Sequence, residues 1–369
     1  MASEDESRGL VAVTGANGTI GYQCVLYAVR TGYRVRCILR RENAISTFKR
    51  AESLQHFQDR LEFAIVPDNT VPRAYDEILR GVQYVIHIAG VWPMPHYHPD
   101  NDIYYPFVRS MENILSAAER SGTVRRIVFT QAGAGLVSTD DGELGIKMDK
   151  VLNEYAKVND YSADLRPPLP SPHHAYTSAK AYCMRHLLSL KNSDNLPFSI
   201  VQVIPGTVIG QPYELTPTAE EVYNRMDRMC RAILFNEPKP RYLFGFVHFL
   251  DVAKVHVEAL DEVKVPREKI PDFFIAASST PEGKDAARIW REACEMVDEE
   301  WYPEVRDGIF KVGWERLPEN IPFRVDSGLT ERMLFDDAKG FVDFEGCLKE
   351  VVTWYLKLKG PPSIREWTR

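Results

Sequence analysis

At 369 residues the chain is long for one hydrophobic core, so a principal domain with a smaller lobe attached is expected. Hydrophobic residues at 44% and charged residues at 26% are those of an ordinary soluble globular protein, and every apolar run is too short to span a bilayer. A net charge of -7 argues against a nucleic-acid surface, which needs clustered Lys and Arg.

Six cysteines (Cys24, Cys37, Cys183, Cys230, Cys294 and Cys347) lie scattered without CxxC spacing. That pattern fits reduced thiols in a cytoplasmic protein and neither a disulfide frame nor a zinc site. The acidic N-terminus carries no charged-then-apolar signal pattern.

The first element is an apolar run, Val11 to Thr14, that breaks into Gly15, Gly18 and Gly21 and resumes as a helix over 19–30. Strand, tight turn and helix together aim free N–H groups and a positive dipole end at whatever lies over the turn, which suits a pyrophosphate. Glycine turns without a ligand share this pattern, so the following elements decide. Gly32 serves as the helix C′ residue, and a second strand over 34–39 completes a βαβ unit.

A helical stretch around 44–57, a third strand over 61–66 and a short helix over 71–80 come next. The fourth strand, 84–89, is almost wholly apolar, as a strand covered on both faces should be. Residues 102–121 read as a long helix with Ile114, Leu115 and Ala118 on one face, and 125–130 as a fifth strand running into Gln131-Ala132-Gly133-Ala134-Gly135. This alternation predicts an α/β protein with a doubly wound parallel sheet, a Rossmann architecture whose ligand crevice lies beyond the strand C-termini.

From 138 to 172 the alternation lapses into a polar, then proline-rich connection. A helix over 173–190 and a sixth strand over 198–204 follow. Beyond Gly210 the chain becomes irregular and aromatic, with a helix over 251–260, a seventh strand over 272–277 and helices near 283–297 and 344–358. The expected division is a dinucleotide-binding core over 8–210 and a mainly substrate-binding lobe over 211–369. A strand and helix near 247–280 would return to the core.

Tyr176-Thr177-Ser178-Ala179-Lys180 places a phenol and an ammonium at i and i+4, on one face of a helix. A nearby cation favours phenolate and brings the tyrosine toward the range useful for proton transfer. An arbitrary pair of this kind is usually a surface feature; this one follows a glycine-turn βαβ unit and a fifth strand.

These motifs carry a likeness. The chain resembles the extended short-chain dehydrogenase/reductase superfamily, and within it the dihydroflavonol-reductase-like and aldehyde-reductase-like branch. The resemblance rests on Thr14 to Gly21, Asp68 after the third strand, His87-Ile88-Ala89-Gly90 after the fourth, and Val128-Phe129-Thr130 in the fifth. It continues through Tyr176 to Lys180, Pro205 to Gly210, and Val247 to Ala253.

The resemblance implies that Tyr176 donates the proton and that Lys180 holds the ribose hydroxyls. It implies a cofactor cradle of Gly15, Asn17, Gly18, Thr19, Ile20, Gly21, Ala89 and Gly90. Asp68 and Asn69 would meet the adenine, and Pro205 and Val208 would border the nicotinamide.

After the second strand, where an NAD enzyme usually has a carboxylate for the ribose 2′-hydroxyl, this chain has Arg40-Arg41. An arginine there grips a 2′-phosphate with a forked, charge-assisted contact, so NADP(H) is the expected cofactor, with Arg40 as its reader. The competing reading makes both arginines solvated charges beside Glu42.

Where the superfamily usually ends its fifth strand with a Ser or Thr that hydrogen-bonds the substrate carbonyl, this chain has Ala132. Thr130 shares that face about 7 Å back along the strand and is counted with Tyr176 and Lys180 in the catalytic set. Gln131, and Ser138 and Thr139 from the loop, are the other candidate donors.

His96-Tyr97-His98 and His173-His174 have no accompanying Cys or carboxylate ligands, so no metal is expected. The loop Val91-Trp92-Pro93-Met94-Pro95 would overhang the nicotinamide and help wall an apolar pocket. His248 and Asp251 are read as structural, holding the second lobe to the sheet.

The expected function is NADP(H)-dependent reduction of a ketone or aldehyde in a mid-sized, rather apolar metabolite, aromatic secondary metabolites included. The expected protein is a monomer or homodimer with a small-molecule substrate, bound neither to nucleic acid nor to membrane. A non-redox isomerase or cyclase on the same scaffold, favoured by Ala132, and a catalytically idle NADP(H) sensor stay open as alternatives.

Overall fold

Seven parallel strands form the central sheet of this computed structural model. It describes residues 8–136, 151–193, 196–210, 213–238, 245–278, 286–316, 324–335 and 340–359. The strands are β1 (Leu10–Thr14), β2 (Arg34–Leu39), β3 (Leu61–Ile65), β4 (Tyr84–His87), β5 (Arg126–Thr130), β6 (Ser199–Pro205) and β7 (Phe274–Ala276). They lie in the order β7-β6-β5-β4-β1-β2-β3, the doubly wound arrangement expected from the sequence. The order reverses between β1 and β4, so the loops leaving those two strands part and open a crevice at their C-terminal ends.

The larger helices are α1 (Thr19–Arg30), α2 (Tyr105–Ser121), α3 (Pro172–Lys191), α4 (Arg228–Phe235), α5 (Phe249–Glu258), α6 (Ala286–Glu300) and α7 (Phe344–Lys359). On one face of the sheet Tyr22, Val25 and Val29 of α1 pack with Val252 and Val255 of α5. On the other, Met111, Ile114 and Leu115 of α2 pack with Cys183 and Leu187 of α3. With both faces covered, β1 and β4 are buried along their whole length, which is why they read as continuous apolar runs. A second cluster gathers α4, α6 and α7 around the buried Trp290.

At the N-terminal end of β5, the fully buried Arg126 ties the sheet to the segment after α5. Its guanidinium donates to Ser199 Oγ (2.8 Å), the Ala259 carbonyl (2.9 Å) and the Val265 carbonyl (2.7 Å). Those acceptors offset the cost of burying the charge.

Three expected elements differ. Residues 71–80 form successive turns and no helix: Pro72 has no N–H to give, and Arg73 sits at φ +67, a left-handed conformation that stops a helix. The helix expected from residue 102 begins only at Tyr105, after a π-helical turn over Pro99–Tyr104. The stretch 44–57 breaks at Ala51, whose ψ of 118 is extended, into a short α-helix and a following 3-10 segment.

Candidate active site

The glycine turn lies at the switch point. Gly15 has φ +66, and a Cβ there would stand 3.3 Å from the Ala89 backbone. A Cβ on Gly21 would fall 2.1 Å from the Gly15 carbonyl oxygen, so only glycine lets α1 start this close to the turn. Gly18 is the N-cap and has no side chain to offer. The first-turn amides of Thr19, Ile20 and Gly21 are therefore left without a side-chain cap, beside the exposed Asn17 and Gly18, in an arrangement that fits a bound phosphate.

A buried polar chain ties this turn to the loops after β3 and β4. Thr14 Oγ1 accepts from the amides of Ile88 and Ala89, both at 3.0 Å, and gives its proton to His87 Nδ1 at 3.1 Å. His87 Nε2 meets Ser110 Oγ at 3.3 Å, and that hydroxyl also accepts from the Asn69 amide at 2.9 Å. Burial pushes His87 down to about 3, so the ring is neutral. The sequence marks His87 only as the start of the motif after the fourth strand, with no role of its own, and does not mark Ser110, which reads as part of a helix face.

At the far end of the crevice, exposed Arg40 leans its Nε toward the Pro67 carbonyl at 3.3 Å. Asp68 accepts from the Thr70 amide (2.8 Å) and hydroxyl (2.7 Å), and these two donors, with Arg40 and Arg109 nearby, lower its carboxyl below the usual range. The Asn69 side chain turns inward to Ser110, and its carbonyl accepts from the Asn113 side-chain amide at 2.9 Å.

On α3, Ser171 caps the helix, Pro172 opens it, and Tyr176 and Lys180 fall one turn apart. Lys180 is buried, and its Nζ donates to the Thr130 carbonyl at 3.0 Å. The same ammonium lies 4.5 Å from the Phe107 ring centroid and 5.9 Å from that of Tyr176. The Tyr176 ring stands edge-on to Phe107 at 5.6 Å and tilted against Trp92 at 5.8 Å. Gly90 makes room for Phe107, since a Cβ there would sit 2.4 Å from its ring.

Burial governs both titrations. It pushes Lys180 down to about 8 and raises the Tyr176 phenol above its ordinary value. The expected acidification of Tyr176 by Lys180 is thus outweighed by desolvation, and the phenol is held protonated. Phe107 was not foreseen, and nothing in its spacing marks it.

The family model for the NAD dependent epimerase/dehydratase family matches residues 11–270. The chain belongs to that family. Among its relatives, ketoreductase CTB6 of Cercospora beticola is 26% identical, with 95% of each chain covered. Dihydroflavonol 4-reductase of Solanum lycopersicum is 23% identical over 78% of this chain and 76% of its own. The structure of yeast methylglyoxal/isovaleraldehyde reductase Gre2, complexed with NADPH, superposes with a TM-score of 0.70 at 18% identity, covering 95% of this chain and 99% of that one. The fold and the extended short-chain dehydrogenase/reductase relationship expected from the sequence are thereby borne out.

In this epimerase/dehydratase family member the end of β5 departs from the donor roles considered for it. His256 Nδ1 lies 2.6 Å from the Val252 carbonyl, which can only accept, so Nε2 carries no proton and accepts from Thr130 Oγ1 at 2.8 Å. The Thr130 hydroxyl proton is therefore committed to His256. What Thr130 offers the site is its carbonyl. Gln131 is buried with its amide on Gln202 Oε1 at 2.8 Å, so it does not swing in. Ser138 and Thr139 lie outside the described residues.

Pro205 ends β6, and Val208 sits in a short strand (Thr207–Ile209) paired in parallel with Phe246–His248. His248 Nε2 meets Glu350 of α7 at 2.8 Å, and Asp251 accepts from the Val342 amide at 2.8 Å, so both residues tie the start of α5 to the C-terminal segment. His98 Nδ1 accepts from the amides of Asp100 and Asn101, and His174 Nδ1 pairs with Ser171 Oγ. Among the described residues no group of three or more His, Cys, Asp or Glu could hold a metal ion.

Proposed function

We propose that the protein is an NADP(H)-dependent reductase of a ketone or aldehyde in a mid-sized, rather apolar substrate. The observation that carries this reading is that the Tyr176–Lys180 pair, held at the end of β5, and the uncapped glycine turn after β1 share the C-terminal edge of the sheet with only β4 between those strands. The names of its relatives, a ketoreductase and a dihydroflavonol reductase, point the same way.

A nicotinamide dinucleotide, when bound in the crevice, would supply the hydride. The turn from Gly15 to Gly21 holds its phosphates, with Asn17, Ala89 and Gly90 alongside. Arg40 grips the 2′-phosphate, Asp68 and Asn69 meet the adenine, and Pro205 and Val208 border the nicotinamide. Tyr176, kept protonated by its burial, gives its proton to the carbonyl oxygen, and Lys180 steadies the phenolate left behind. Trp92, 68% exposed beside Tyr176, and Phe107 wall the site for an apolar substrate. The cluster around Trp290 belongs to the substrate-binding lobe. The protein works in the cytoplasm as a monomer or homodimer.

The test is oxidation of NADPH with a panel of aryl and alkyl ketones and aldehydes, with Tyr176→Phe as control. The reading requires turnover that disappears in the variant while NADPH still binds. Absence of affinity for either nicotinamide coenzyme would overturn it. A second reading, a non-redox isomerase or cyclase, is favoured by the methyl group of Ala132 where a donor is usual. It predicts tight coenzyme binding with no net oxidation by any carbonyl substrate.

A further inference from the structure

Lys180 is buried against an aromatic ring, and the one acceptor its ammonium is given among the described residues is a main-chain carbonyl, that of Thr130. Among the described residues no carboxylate is paired with it: the titratable groups around it are Tyr176 and Cys183 on its own helix and His87 on β4. The direction of one carbonyl therefore decides where the ammonium sits.

Thr130 lies where the sheet stops supporting β5 on one side, because the ladder to β4 ends at the pair His87–Phe129. Its pairing with Val203 of β6 is the last on the other side. Two tethers fix its rotation: the Gln131 amide, in the same peptide unit as the Thr130 carbonyl, donates to the Val203 carbonyl at 2.7 Å, and the Thr130 side chain supplies the second. Thr130 Oγ1 donates to His256 Nε2 at 2.8 Å, and His256 is itself locked to the Val252 carbonyl one turn back on α5, at 2.6 Å. His256 is wholly buried and Thr130 half-buried.

We infer that His256 and Thr130 are positioning residues for Lys180: α5 clamps the hydroxyl of Thr130 so that its carbonyl holds the ammonium beside Tyr176. This rests on the reading of Lys180 given above. Because α5 also packs on α1, one helix sets both the phosphate-binding turn and the amine of the proton-transfer pair. Burial pushes His256 down to about 4, so it stays a neutral acceptor across ordinary working pH.

The experiment compares Thr130→Val and His256→Phe with Thr130→Ser in the full chain. Isotope-labelled lysine NMR follows the Lys180 titration with NADPH absent, and steady-state kinetics follow kcat against pH. Both disruptive variants should displace the Lys180 midpoint by about half a pH unit or more and lower kcat by about tenfold. Thr130→Ser should recover most of the loss. The double variant should be no worse than the poorer single one, because both act through one carbonyl.

A merely structural role predicts something else: a lower melting temperature with the Lys180 midpoint and the pH profile in place, which overturns the inference. Thr130→Val exchanges a hydroxyl for a methyl at nearly constant volume, so it carries the test should His256→Phe fail to fold. If the wild-type protein reduces no carbonyl compound, the functional reading fails, while the NMR titration still decides whether Thr130 and His256 place the amine.

Discussion

His87 stands between the hydroxyls of Thr14, at 3.1 Å, and Ser110, at 3.3 Å, and so joins the strand that enters the glycine turn to the helix that holds Asn69. The crevice at the switch point is fastened by this neutral ring. His87→Phe leaves the hydroxyl groups on both sides without their partner in a dry interior. We expect a loss of about 1–3 kcal/mol in unfolding free energy and weaker NADPH binding, read by denaturant titration and by coenzyme fluorescence. Unaltered coenzyme affinity in a folded variant would detach the network from the cradle.

Acid sensitivity follows from the same burial. An unfolded chain protonates His87 and His256 near the ordinary value of 6.5, whereas the folded chain resists down to about 3 and about 4. The unfolded state binds the extra protons, so stability falls as pH drops below 6.5 and goes on falling until those lower values are reached. At pH 5 each histidine should cost about 2 kcal/mol relative to neutral pH. Chemical denaturation from pH 7 to pH 4 checks this, and His87→Gln should flatten the slope.

Coenzyme preference should reside in Arg40. Arg40→Ala is expected to weaken NADPH binding by about 10- to 100-fold while changing NADH binding little, because only the 2′-phosphate needs the guanidinium. Equal losses for both coenzymes would mean that Arg40 serves the ribose or adenine instead.

Ala132→Ser restores a hydroxyl at the end of β5, where neither the Thr130 hydroxyl nor the Gln131 amide is free to help. If the substrate carbonyl is polarised there, kcat should rise by up to about tenfold, within the few kcal/mol that one oxyanion donor supplies. A fall in kcat with KM unchanged would place the carbonyl elsewhere.

Two glycines provide a contrast in backbone tolerance. Gly21→Ala drives a methyl into the Gly15 carbonyl at 2.1 Å and should abolish coenzyme binding or folding. Gly81→Ala meets nothing within 4 Å and suffers only the strain of φ +73, about 1 kcal/mol, with activity retained. Melting curves and coenzyme titrations of the two variants separate steric exclusion from conformational strain.

Local rules were enough to read the sheet and the glycine turn from the sequence, because period, glycine spacing and strand composition are properties of short stretches. Strand β2 and helix α1 fall where the pattern put them. The helix expected over 71–80 failed because Arg73 is left-handed, a conformation the apolar pattern of that stretch does not record. The Tyr176–Lys180 spacing was legible for the same reason that any i, i+4 pair is.

By itself, the amino-acid sequence determined the alternating architecture, the glycine cradle, and which phenol and amine share a helix face. Only the tertiary structure decided that the Thr130 hydroxyl is spent on His256, that Gln131 is locked to Gln202, and that Phe107 stands beside both Tyr176 and Lys180. It also reversed the expected balance at Tyr176, raising the phenol where a neighbouring cation had been expected to lower it. The physical reason is that hydrogen-bond commitment and desolvation depend on partners brought together from distant parts of the chain. No local pattern records them.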